Sequence, residues 1–200
     1  MRERVVLRVS DLPLHGKGPA SPTWWGTLTF MLLEGSAFAV CIGIYLYLLS
    51  LAPVWPIGAP PPNLGPGTIV TLILLVSLIP NWFVGQWAHQ HALRKVRVGI
   101  VVMTLFGIAP LAVRVFEFRA LNIWWDANAY GSILWLLLGL HSTHLITDLA
   151  DTIVLAVMMF TRHGANRRRF GDVHDNVLYW NFVVLTWIPI YLCIYWIPRL

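Results

Sequence analysis

The chain has 200 residues, of which 58% are hydrophobic and only 12% charged, and its mean hydropathy is +0.68. That is too little polar side chain to cover a water-soluble globule, so the composition excludes a soluble domain and implies a membrane protein. A pI of 9.6 raises nucleic acid as a partner, but the basic residues fall in short runs between apolar segments, a pattern that topology explains and nucleic-acid binding does not.

Residues 1–24 carry Arg2, Arg4, Arg8 and Lys17, have no apolar core of signal-peptide length, and contain Pro13, Gly16, Gly18, Pro19 and Pro22, which break a helix. They read as a short cytoplasmic tail. A hydrocarbon core of about 30 Å takes about 20 apolar residues as a helix, because only a helix satisfies its own backbone there. Five runs qualify, at 25–51, 67–87, 98–118, 130–160 and 177–197, so residues 25–200 form one all-α domain of five transmembrane helices. Cys41 and Cys193 lie inside these runs without CxxC or CxxCH spacing and read as small buried hydrophobes. Trp24, Trp25, Trp55, Trp87, Trp124, Trp125 and Trp196 gather near the run ends, where an amphipathic ring sits between lipid and water. The connection APVWPIGAPPPNLGP after the first run is a stiff surface loop, since its prolines fix φ and lack donors. No internal repeat is visible.

Orientation follows from the short connections. Eleven basic residues fall on one side: the four of the tail, then Arg94, Lys95 and Arg97, then Arg162, Arg167, Arg168 and Arg169. The other side has only Arg119 and Arg199, which places the N-terminus inside and the C-terminus outside.

Ionisable groups within a spanning segment need a partner, a cavity or a job. Glu34 lies near the bilayer midplane in the first run and reads either as a protonatable group at a helix interface or as a neutral, hydrogen-bonded acid joining helices. His141 and His144, three apart, share a helix face within reach of Glu34. Paired with His89 or His91 they could bind a b-type haem, although a metal cluster wants three or four ligands and the small residues around the pair favour close packing with hydrogen bonds. Asp148 and Asp151 are expected at a wetted inner helix end, with proton entry as the alternative role. Arg114 and Glu117 read as an intrahelical ion pair at the outer interface.

These residues carry a resemblance. WWGTLTFMLLEGSAFAV around Glu34, SLAP at 50–53, WAHQH at 87–91, FEF at 116–118, YGS with GLHSTH at 130–144, and YWNF with IYW at 179–196 stand in the order of subunit III of the haem-copper respiratory oxidases. The chain thus resembles the cytochrome c oxidase subunit III family, and its five helices match the short bacterial type. The resemblance implies an accessory subunit without haem or copper, the haem and copper being held by partner subunits. It would pack beside catalytic subunit I with subunit II, hold phospholipid, and sustain proton uptake during aerobic electron transport in a bacterial cell inner membrane. By the same resemblance Glu34 is the buried carboxylate, with His144 its first-choice partner and His141 the second, and Arg162, Arg168 and Phe170 are lipid-headgroup contacts. No residue is catalytic and none binds metal on this reading, and nucleic acid has no part in it. Asn181 and Val184 replace a His and an Asp common in the family, and Asp148 stands where a small residue is usual, which puts the subunit contact and any polar route through the chain in question. The rival readings are a partner of a nitric oxide reductase, a stand-alone proton or ion carrier using Glu34, Asp148 and Asp151, and a b-haem electron carrier.

Overall fold

The computed structural model describes residues 21–162 and 164–200. The tail residues Arg2, Arg4, Arg8 and Lys17 lie outside the described residues. Five helices follow in order: α1 Pro22–Leu51, α2 Leu64–His89, α3 Leu93–Arg119, α4 Ala129–Phe160 and α5 Arg167–Tyr191. All five are long and apolar enough to cross a membrane. The last helix continues through a π turn, Leu192–Trp196, and a short 3-10 turn, Ile197–Arg199, beyond Pro189, whose missing N–H breaks the regular ladder.

Helices α2, α3, α4 and α5 form a four-membered ring in which α3 packs on α2 and α4, and α5 closes the other side between the same two. Helix α1 lies outside this ring against α4 and α5, and it is the least buried of the five. Its free face is apolar, with Leu32, Leu33, Val40 and Tyr47 all more than half exposed, as a lipid- or partner-facing surface requires. The antiparallel order brings the N-termini of α1, α3 and α5 to one end, with Arg94, Lys95, Arg97, Arg167, Arg168 and Arg169. The proline-rich connection and the C-terminus lie at the other.

Lipid tails are as apolar as leucine, so helices in a membrane associate through close packing and hydrogen bonds. Both are visible here. Across α2 and α5, Trp180 Nε1 donates to Ser77 Oγ at 2.8 Å and Trp187 Nε1 to Thr71 Oγ1 at 2.8 Å, while Asn81 Nδ2 donates to Val177 O at 3.0 Å and Asn181 Oδ1 at 2.9 Å. Asn181, which departs from the family pattern, is thus a rung of this seam. Small residues admit the neighbours elsewhere: a Cβ on Gly67 would run into the Tyr195 ring, and one on Gly99 into Val84 of α2.

The ends differ from expectation in several places, α3 among them: it begins at Leu93, five residues before its apolar run, so Arg94, Lys95 and Arg97 are helical and not in a connection. Helix α5 begins ten residues before the apolar run, so Arg167, Arg168 and Arg169 occupy its first turn and not a loop. Asn166 caps it by accepting from Arg168 N at 3.2 Å, and a helix that has left the hydrocarbon no longer needs apolar side chains. Trp55, just beyond the end of α1, is half-buried. Its ring stands edge-on to Tyr45 and Tyr130, and its Nε1 donates to Tyr45 Oη at 3.1 Å, plugging the proline-rich end of the bundle. Asn128 ties the same end together, capping α4 through Gly131 N at 2.9 Å and donating to Ile57 O at 2.9 Å.

The tight α2–α3 approach makes a direct expectation. Gly99→Leu should destabilise the chain by roughly 1–3 kcal/mol through overpacking against Val84, read as a lower Tm in mild detergent, while Gly43→Leu, where a Cβ meets nothing, should leave it unchanged.

Candidate functional site

The bundle holds two polar clusters at different depths. The first joins α1, α4 and α5. Glu34 projects from α1 with only 10% of its side chain exposed, and its Oε1 stands 2.9 Å from His144 Nε2. Tyr179 on α5 donates its hydroxyl to both carboxylate oxygens, at 3.0 Å and 2.8 Å. His144 Nδ1 is 2.6 Å from Leu140 O, and a carbonyl can only accept, so Nδ1 carries a hydrogen. One proton is then left to divide between Glu34 Oε1 and His144 Nε2, giving either an imidazolium–carboxylate pair or a carboxylic acid donating to a neutral ring. The site can hold or release that proton without breaking its other bonds. Phe38 covers the His144 ring at 4.9 Å.

His141 does not join this pair. One helical turn from His144, it faces α3 and α5: Nε2 donates to Val183 O at 3.1 Å and Nδ1 accepts from Arg114 Nη2 at 2.9 Å. It belongs to the second cluster, where Arg114 Nη1 meets Glu117 Oε2 at 2.6 Å, Tyr195 donates to Glu117 Oε1 at 2.7 Å, and the guanidinium lies 4.3 Å from the Trp187 ring centre. The ion pair expected at the outer interface is instead buried, with Arg114 3% and Glu117 0% exposed. Its partners on α4 and α5 desolvate it and satisfy Arg114 Nη2 and Glu117 Oε1, leaving Arg114 Nε as the one group of the pair without a hydrogen-bond partner among the described residues.

Asp148 also departs from expectation. One turn below His144 on α4, it is 1% exposed instead of lying at an exposed helix end, and neither carboxylate oxygen has a hydrogen-bond partner among the described residues. Asp151, three residues on, is exposed and accepts from Asn176 Nδ2 at 3.2 Å. Among the headgroup candidates, Arg162 and Arg168 are exposed, whereas Phe170 is buried and its ring packs edge-on to His91 at 4.8 Å. His89 lies against His174 at 4.6 Å. The histidines weighed as a haem pair therefore face different neighbours, and among the described residues no group of three or more His, Cys, Asp or Glu could hold a metal ion.

Tyr179 and Tyr195 enter the sequence reading only as letters of YWNF and IYW, with no role given to either, and Trp187 does not enter it. The further signal for a site is that each is a polar aromatic tip within an apolar run, which needs a partner when buried.

The model for the family described as cytochrome c oxidase subunit III matches residues 15–198. The chain belongs to this family. Among its relatives, cytochrome c oxidase subunit 3 of Synechocystis sp. is 29% identical over 179 residues, covering 86% of this chain and 74% of the relative. The subunit 3 of Pisaster ochraceus is 26% identical over 180 residues, covering 86% and 68%, and that of Xenopus laevis is 27% identical across 96% and 76%. The chain is thus a multi-pass membrane protein of five helices from a family whose members are subunits of an oxidase complex.

The second cluster carries a prediction about stability. Glu117→Ala leaves Arg114 buried with a neutral imidazole and an indole face, and should cost about 3–5 kcal/mol, whereas Tyr195→Phe, which removes one bond to a charged group, should cost about 1.5–3 kcal/mol. Thermal unfolding of the two variants against the parent chain checks the order.

Proposed function

We propose that this chain is a non-catalytic, accessory subunit of a haem-copper terminal oxidase, packed beside catalytic subunit I with subunit II in a bacterial inner membrane. It sustains proton uptake and turnover without redox chemistry of its own, haem and copper being held by the partner subunits. The observation that carries the reading is the Glu34–His144–Tyr179 arrangement: side chains from α1, α4 and α5 meet within hydrogen-bond distance on one carboxylate. A carboxylate that only joined helices would need no second titratable partner.

In this reading residues 1–24 are a cytoplasmic tail, residues 25–200 are one transmembrane domain, and the C-terminus is outside. The charge asymmetry of the connections supports that orientation. Phospholipid is held at the basic end, where Arg162 and Arg168 offer cationic contacts to headgroups and Phe170 stands behind them in the core. His141 serves the neighbouring buried ion pair and supports the site from behind.

The test begins with a mild-detergent pull-down of the chain from its own membranes, which should bring a large subunit bearing haem and copper. In that complex, Glu34→Ala should leave haem and copper content intact while lowering sustained turnover. Wild-type behaviour under prolonged turnover would reduce Glu34 to a structural role. Neutralising Arg162 and Arg168 together should lower the anionic lipid retained by the purified complex, measured by mass spectrometry.

A further inference from the structure

A cavity of about 470 Å³ opens between α1, α4 and α5 at the end where α1 and α5 begin. Four carboxylates line it, Asp148 and Asp151 from α4 and Asp172 and Asp175 from α5, with Arg169 as the one cation of its wall among the described residues. Arg169 is already engaged with Asp172 at 2.9 Å. Asp151 is exposed, while Asp148, one turn deeper, is 1% exposed with both oxygens unpartnered. Tyr179 forms the cavity's far wall and donates from there to Glu34.

We infer that Asp148 is a proton-exchange site linking the water of this cavity to the Glu34–His144 pair. The inference rests on the reading of Glu34 as a protonatable group and adds the route by which its proton arrives. An unpartnered carboxylate in a spanning helix destabilises the fold and returns no contact, so its presence calls for a job. Geometry supplies one. Asp148 is four residues from His144 and so shares its helix face, and it borders a cavity far larger than the ~30 Å³ that one water occupies.

The titratable and charged groups facing it are Glu34 from α1, His144 and Asp151 from α4, and Arg169, Asp172, Asp175 and Tyr179 from α5. The excess of carboxylates concentrates hydronium at the mouth. A hydronium gives its proton to an Asp148 oxygen, leaving water. The neutral acid then passes a proton through cavity water to the Tyr179 oxygen as the Tyr179 hydroxyl proton moves to Glu34 Oε2. The step starts from the pair that has given up its shared proton: Asp148 is again a carboxylate, Glu34 has regained that proton, and once it settles between Glu34 Oε1 and His144 Nε2 the Tyr179 hydroxyl rotates back to donate to Oε2.

The purified oxidase complex tests this by infrared difference spectra of its protonated carboxyl groups across a pH series, with hydrogen–deuterium exchange. Glu34→Gln should remove one carboxyl band and Asp148→Asn a second. In the Asp148→Asn complex, deuterium exchange of the Glu34 band should slow by on the order of a hundredfold, and Asp148→Glu should restore it. Asp148→Leu, which also loses no hydrogen bond, should slow it equally and guards against a defect peculiar to the amide. If the Glu34 band is present but exchanges at the wild-type rate in both Asp148 variants, the relay is overturned while the Glu34 reading stands. If Glu34→Gln removes no band at any pH, the Glu34 reading itself fails and takes the relay with it.

Discussion

Inside a bilayer a polar side chain has no water to fall back on, and this bundle is organised by where each such group finds its partner. The seam between α2 and α5 is the plainest case. Two indole donors, Trp180 and Trp187, reach hydroxyls on Ser77 and Thr71, and Asn81 bridges to Asn181 and to the Val177 carbonyl. None of these groups could face lipid, so together they fix the rotation and depth of α5 against α2. The rest of the ring is built on that registered pair.

The ionisable groups form a series in degree of pairing. Arg114 and Glu117 are fully enclosed and supported by His141, Tyr195 and Trp187, so the cluster has little freedom to change charge. Glu34 and His144 are paired but share one proton, with Tyr179 supporting either arrangement. Asp148 is buried without any partner. Stability is concentrated at the first cluster and protonic freedom at the other two, and those two lie together on the side of the bundle that α1 covers.

Much of this was legible in the sequence. Run length and hydropathy located all five helices, since spanning a membrane leaves little choice of length. The motif order around Glu34, the two histidines and the final YWNF pointed to the family. What the sequence left open were matters of facing. His141 and His144 share a helix surface by spacing, yet one turns to Arg114 on α3 and the other to Glu34 on α1, a division made by α3 and α1 and invisible in α4 itself. Arg114, Glu117 and Asp148 were expected near water because charge usually is. Their burial depends on how far α4 and α5 rise around them, and local composition does not carry that. Helix α5 began early for a similar reason: hydropathy marks where a helix meets lipid, not where it starts.

The position of α1 gives the Glu34 site its character. The helix packs outside the ring with an apolar face on both the lipid side and much of the bundle side, so hydrophobic contact alone sets neither its rotation nor its depth. Phe38 packs against the His144 ring at 4.9 Å, and Gly35 lets the helix approach Phe182, whose ring a Cβ at that position would meet at 3.5 Å. The bonds from Glu34 to His144 on α4 and Tyr179 on α5 then select one register, because a slip of one residue would turn the carboxylate away from both. The group that holds the exchangeable proton is thus also the group that docks the outermost helix, so any change in its protonation is felt directly in how α1 sits on the ring.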